Sequence, residues 1–220
     1  MLKVEAIHAG YGDFKVLHGI SFAVEQGQAV GIAGPNGHGK STLLKTLCGL
    51  LPLRSGKILF EGEDISRLNA QQRVERGLAY VAEDRRLFGD MSVQENLELG
   101  AYLPHARPHK KANLEKIFAL YPRLAERRTQ LARTLSGGEA QMLALGRGLM
   151  SNAKCLAIDE PSLGLAPKLI ESLLETIATI NRAGLTIVLV EQNLSLIAPL
   201  LSQAFALQEG YLSQPSAGAA

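Results

Sequence analysis

The stretch that most constrains this chain is Gly34-Pro35-Asn36-Gly37-His38-Gly39-Lys40-Ser41-Thr42, preceded by the apolar run 29–33 and followed by a helix-forming segment. Its spacing matches G-x-x-x-x-G-K-[ST], a strand-loop-helix pattern for binding phosphates. The glycines admit positive φ and place no side chain between backbone N–H groups and an anion, so the loop can wrap a triphosphate. Lys40 adds a mobile point charge. Ser41 offers a hydroxyl to Mg²⁺, which prefers oxygen ligands and shares them with substrate phosphates. The helix expected over 42–50 turns its positive dipole end toward those phosphates.

Two further stretches carry chemistry. The apolar run Cys155-Leu156-Ala157-Ile158 ends in Asp159-Glu160, which is where a parallel sheet presents its site, at the carboxyl ends of the strands. Alternation along a strand points neighbours in different directions. Asp159 can therefore hold Mg²⁺, directly or through water, while Glu160 accepts a hydrogen bond from the attacking water and orients it. The second stretch, Leu135-Ser136-Gly137-Gly138-Glu139, opens a helix through Gln141, Met142, Leu145 and Leu149. Ser136 can cap that helix, and the paired glycines leave its first amides open. It is a second anion-binding helix start in a chain with one Lys-containing loop, which suggests a γ-phosphate contact made to another subunit's nucleotide.

The remaining pattern is that of one globular unit. With 220 residues, 46% hydrophobic and 20% charged, the chain can bury a core unaided, and a formal net charge of +2 supplies no strong field for nucleic acid. Arginines 123, 127, 128 and 133 read as a solvated helix face. Cys48 and Cys155 lack metal-ligand spacing and read as core residues in a reducing compartment. No signal peptide or spanning segment is evident, so the chain is expected in the cytoplasm, reaching a membrane through partners. Strands are expected over 2–9, 16–24, 29–33, 57–60, 78–81, 155–158, 186–190 and near 204–208 and Tyr211. Helices are expected over 69–76 with Asn69 as cap, from Ser92 to near Gly100, over 166–182 ended by Gly184, and over 194–201. Residues 91–150 are helical in character, the two-histidine stretch 103–111 is a solvated turn, and the tail after Leu212 is expected to fray. Tyr11, in a turn 10–13, is either an aromatic platform for a nucleobase or a half-buried turn residue.

Together the loop at 34–42, the Leu135–Glu139 stretch and Leu156-Ala157-Ile158-Asp159-Glu160, in this order, resemble the nucleotide-binding subunit of ATP-binding cassette (ABC) transporters over essentially the whole chain. The resemblance implies a P-loop NTPase of α/β class: a RecA-like core with an antiparallel β layer and an inserted α-helical subdomain, here about 84–153 of a single 1–220 domain. It implies ATP and Mg²⁺ as ligands and makes Tyr11 the adenine-stacking residue. It also implies a head-to-tail dimer with a paralogous ATPase or a second copy, each ATP sealed by the partner's Ser136 region. Transmembrane permease subunits are the further partners, with a periplasmic or extracellular solute-binding protein engaged indirectly, at the cytoplasmic face of a bacterial inner membrane.

Two positions depart from the family pattern: Glu83 stands where most members have a Mg²⁺-contacting glutamine, and Gln192 where they have a switch histidine. Gln192 can donate a hydrogen bond to a γ-phosphate but cannot supply an imidazolium. These positions, with Glu83-Asp84-Arg85-Arg86-Leu87-Phe88 and Val190-Glu191-Gln192-Asn193, resemble the second ATPase subunit of branched-chain amino acid importers, whose relatives also serve urea, amides and aromatic acids. His38 falls at a variable loop position and is expected to face solvent. A cassette ATPase acting on nucleic acid or the ribosome is the alternative, though such proteins usually add long insertions or a second cassette.

Overall fold

In the computed structural model, described over residues 1–214, two sheets share one chain. The first is a four-stranded antiparallel layer ordered β2-β1-β4-β5, built from β1 (Leu2–Tyr11), β2 (Phe14–Val24), β4 (Ser55–Phe60) and the two-residue β5 (Glu63–Asp64). The second holds β3 (Ala29–Ala33), β6 (Leu78–Val81), β7 (Cys155–Asp159), β8 (Thr186–Glu191), β9 (Gln203–Gln208) and β10 (Tyr211–Ser213), ordered β10-β9-β3-β8-β7-β6. All its pairings are parallel except β9 with β10. Every residue of β3, β7 and β8 is buried. This follows from their unbroken apolar runs, which suit strands covered on both faces.

Alternation divides the large sheet between two cores. Val30, Ile32, Ala157, Val188 and Val190 face α1 (Lys40–Leu47), whose Leu43, Leu44 and Leu47 pack with Leu2, Val4, Ile7, Ile20 and Phe22 of the antiparallel layer. Leu156, Ile158, Ile187 and Leu189 face the other way, onto α3 (Val93–Gly100), α6 (Gly137–Leu149) and α7 (Pro167–Arg182). Between β6 and β7, which pair directly, the chain inserts α3, α4 (Lys110–Leu120), α5 (Pro122–Glu126) and α6. Capping boxes open α2 (Ala70–Glu75), α3 and α6, with Asn69/Gln72, Ser92/Glu95 and Ser136/Glu139 each satisfying the other's backbone N–H.

Several expected boundaries move for local reasons. α1 starts at Lys40 and stops at Leu47, because Gly49 takes φ +72°. The stretch from 194 is a short helix α8 (Leu194–Ile197) followed by a 3₁₀ turn over Ala198–Leu200, since Pro199 has no N–H to continue an α-helical ladder. The supposed turn at 103–111 becomes helical from Arg107, and His105 Nε2 lies 3.2 Å from the Ser151 carbonyl. β10 runs to Ser213, and the rest of the tail, from 215, lies outside the described residues. No helix among the described residues is long and apolar enough to cross a membrane.

Candidate functional site

The phosphate-loop residues lie between β3 and α1, in the middle of the sheet's carboxyl edge. Gly39 is the N-cap of α1 with φ +105°, and a side chain there would meet Leu17 Cδ2 at 3.1 Å and Val16 Cγ1 at 3.2 Å. The loop is thus pressed against β2, whose first residues form the hairpin carrying Tyr11. A hollow of about 120 Å³ is lined by Gly37, Gly39, Lys40, Ser41, Thr42 and Glu160. Lys40 is less mobile than the sequence suggests. Its Nζ, 3% exposed as a side chain, donates to the Gly34 carbonyl at 2.7 Å and the Pro35 carbonyl at 3.0 Å, and pairs with Glu160 Oε1 at 3.0 Å.

The sheet brings the two carboxylates to this loop from far away in sequence. Asp159, the last residue of β7, lies on the α1 face with Ala157, and its Oδ1 accepts a hydrogen bond from Ser41 Oγ at 3.0 Å. Its Oδ2 accepts from the Tyr80 hydroxyl at 2.6 Å. Burial pushes the Asp159 carboxyl up, opposed by the hydrogen bonds from Tyr80 and Ser41. Glu160 has φ +41°, with its N–H bonded to the Val190 carbonyl at 3.0 Å and its carboxylate turned to Lys40. Glu191, at the end of β8, is buried; its Oε1 accepts from Ser162 N at 3.0 Å and its carbonyl from Gly34 N at 3.3 Å. It therefore ties together the turns after β3, β7 and β8. Burial pushes its carboxyl up as well.

Glu83 and Gln192 sit exposed on the same edge, just beyond β6 and β8. Desolvation, then the neighbouring Glu160 and Asp159 charges, raise the Glu83 carboxyl. Ser41 and Asp159 offer two hard oxygens 3.0 Å apart. Among the described residues no group of three or more His, Cys, Asp or Glu side chains is arranged to hold a metal by itself. That donor set fits Mg²⁺, which takes one or two protein ligands and completes its shell with water and substrate phosphate.

Other expected residues fall differently. Tyr11 is the last residue of β1 rather than a loop residue; it is 49% exposed and paired in register with Phe14. Arg54 holds that hairpin through the Gly12 and Phe14 carbonyls. His38 does not simply face solvent: its Nδ1 accepts from Glu209 N at 3.1 Å and its carbonyl from Gly210 N at 3.2 Å, tying the loop to the β9–β10 turn. Pro35, Asn36 and Gly37 are exposed.

At the start of α6, Ser136 and Gly137 are exposed, whereas Gly138 is buried because a Cβ there would strike Leu169 Cδ1 at 2.5 Å. The second glycine thus also lets Leu169 pack close to the helix start. Glu139 is taken up locally: its Oε2 accepts from Ser136 N and Oγ at 2.9 and 2.8 Å, and its Oε1 pairs with Arg127 at 2.9 Å. As an engaged anion, its carboxylate shapes the helix start. Among the described residues no hydrogen bond or ion pair joins residues 136–139 to the loop at 34–42.

Sequence reasoning missed Tyr80 and Glu191. The one signal for Tyr80 is a hydroxyl-bearing side chain in the short apolar strand Leu-Ala-Tyr-Val.

A phosphate loop at the centre of a parallel sheet, with a hydroxyl, a lysine and two carboxylates converging on it, defines a P-loop nucleoside-triphosphatase. The "ABC transporter" family model matches residues 17–163, and the chain belongs to that family as an ATP-binding ATPase. It is similar to the high-affinity branched-chain amino acid transport ATP-binding protein BraG of Pseudomonas aeruginosa, 42% identical over 100% of this chain and 94% of the relative. It also resembles the probable branched-chain amino acid transport ATP-binding protein LivF of Archaeoglobus fulgidus, 34% identical over 96% and 89%. Among solved structures it resembles a nucleotide-free ATP-binding cassette from an ABC transporter, with TM-score 0.84, 28% identity and coverage of 98% and 92%. The ADP conformation of MJ1267, an ATP-binding cassette of an ABC transporter, gives TM-score 0.82, 28% identity and coverage of 97% and 89%.

Proposed function

We propose that this chain is the ATP-hydrolysing subunit of an importer of branched-chain amino acids, working at the cytoplasmic face of the membrane through separate permease subunits. The similarity to BraG over the full chain favours this cargo over urea, amides or aromatic acids. The observation that carries the chemistry is the convergence of Lys40, Ser41, Asp159 and Glu160 on one loop. In this reading the loop amides and Lys40 bind the triphosphate, Tyr11 stacks on adenine, and Ser41 and Asp159 hold Mg²⁺, with Glu83 on the same sheet edge as a further ligand. Bound there, Mg²⁺ would neutralise charge on the β- and γ-phosphate oxygens.

Phosphate oxygens compete with Glu160 for Lys40 Nζ, so loading the loop frees Glu160 to accept a proton from water and orient it in line. Gln192 donates a hydrogen bond toward the γ-phosphate. The exposed Ser136-Gly137 edge of α6 closes on the nucleotide of a partner cassette, a paralogue or a second copy, arranged head to tail. Residues 84–153 then act as the helical subdomain that moves the permease. A cleft of about 510 Å³ between β6 and α3, with Phe88 and Tyr102 53% and 69% exposed at its rim, offers apolar surface for that contact.

The test is leucine uptake and phosphate release by the complete assembly in vesicles. Glu160→Gln is expected to keep ATP binding and lose hydrolysis and uptake by at least about a hundredfold. Full turnover in that variant would sink the role given to Glu160, and ATP-driven uptake of other solutes but not leucine would sink the cargo.

A further inference from the structure

Of the groups on the sheet's carboxyl edge, Tyr80 has no role in the reading above. It sits on β6 in register with Ala157, and Ala157 and Asp159 share a face of β7. A side chain as long as tyrosine can therefore span the diagonal and place its hydroxyl 2.6 Å from Asp159 Oδ2. The other oxygen, Oδ1, accepts from Ser41 Oγ at 3.0 Å. The carboxylate is thus held by two hydroxyls, one on each oxygen, arriving from different elements. With one donor it would be free to turn about its broad, two-fold terminal torsion. With both, its plane is set and Oδ1 stays beside Ser41.

We propose that Tyr80 is a positioning residue for the Mg²⁺ site: its hydroxyl fixes Asp159 Oδ2, which keeps Oδ1 and Ser41 Oγ aimed at one point. Mg²⁺ tolerates little departure from octahedral geometry, so a ligand held at the right angle matters more for it than for a larger ion. Partners behind a metal ligand typically contribute ten- to a hundredfold in affinity. The ring also packs against the core that includes Val188 and Ala157, and Tyr80→Phe keeps that packing while removing only the donor. The inference rests on the Mg²⁺ reading of Ser41 and Asp159.

The experiment is equilibrium binding of a fluorescent ATP analogue to the purified chain, in EDTA and across a Mg²⁺ titration, with Mn²⁺ binding read by electron paramagnetic resonance. Tyr80→Phe is expected to bind the analogue as wild type does in EDTA, while the Mg²⁺ concentration for half-maximal enhancement rises about tenfold. In an Asp159→Asn background the same substitution should change nothing further, because its effect passes through that carboxylate. An unchanged Mg²⁺ midpoint overturns the proposal. So does an equal loss in EDTA and in Mg²⁺, which would make Tyr80 a packing residue, and melting curves with Tyr80→Met as a second variant separate that case from misfolding. If wild-type binding ignored Mg²⁺, the Mg²⁺ reading itself would fall, and the role of Tyr80 with it.

Discussion

Arg73 on α2 is 1% exposed and has no carboxylate within ion-pair distance among the described residues. Instead its guanidinium donates to four carbonyls: Thr46 at 2.7 Å, Leu47 at 2.6 Å, Leu68 at 2.9 Å and Ser66 at 3.1 Å. The first two are orphan acceptors at the carboxyl end of α1, where a cation also meets the negative end of the helix dipole. Thr46 O accepts from Gly49 N as well, at 3.2 Å, so Arg73→Met strips the other three of the only donor seen among the described residues. Each unsatisfied acceptor costs about 1–3 kcal/mol. The three together come to about 6 kcal/mol, and relief of the buried, unpaired charge returns about 2 of it. The net expectation is a loss of about 4 kcal/mol, a large part of the total stability of a domain this size. At roughly 2–4 °C per kcal/mol, the melting temperature should fall by about 8–16 °C.

Arg73→Lys should recover under half of that, because one ammonium cannot span carbonyls on three sides. α1 carries Lys40 and Ser41 at its other end, so the Met variant should also bind ATP more weakly at temperatures well below its melting point. Calorimetry and ATP titration check both. A Met variant within about 1 kcal/mol of wild type would refute the claim that Arg73 anchors the helix behind the phosphate loop.

Gly138→Ala should change stability by less than about 1 kcal/mol, because the new Cβ meets Leu169 Cδ1 at 2.5 Å, the far end of a half-buried side chain that can turn aside, and alanine's better helix propensity offsets the cost. A loss above about 2 kcal/mol in thermal melting would show that Leu169 cannot yield. For Glu191 the folded state raises the carboxyl above its ordinary value, so the folded protein binds the proton more tightly than the unfolded chain. Its contribution is present below the unfolded value and is lost as pH rises through the folded one. The melting-temperature difference of Glu191→Gln minus wild type should therefore become more positive as pH rises from about 4.5 into the neutral range, and a difference that falls with pH would contradict a carboxylate destabilised by burial.

These residues also show what was legible in the amino-acid order. Ala29–Ala33, Leu78–Val81 and the capping residues Asn69, Ser92 and Ser136 were readable because each depends on neighbours within a few positions. Lys40, Ser41, Asp159 and Glu160 could be named because their local patterns are specific, and the structure brings all four to one loop. The β5 pair was invisible because two residues carry no periodicity. Arg73 reads locally as a solvent-facing helix residue, and only the approach of α2 to the end of α1 turns it into a cap. Tyr80 reads as packing in an apolar strand, and its hydroxyl finds Asp159 only once β6 and β7 pair. His38 and Glu139 lie within motifs, but the motifs do not reveal what their side chains touch: the Glu209 N–H and Arg127 engage them across long stretches of sequence. Motif residues thus identify what the loop can bind, while the long-range hydrogen bonds of Arg73, Tyr80 and Glu191 decide how firmly its parts are held for that task.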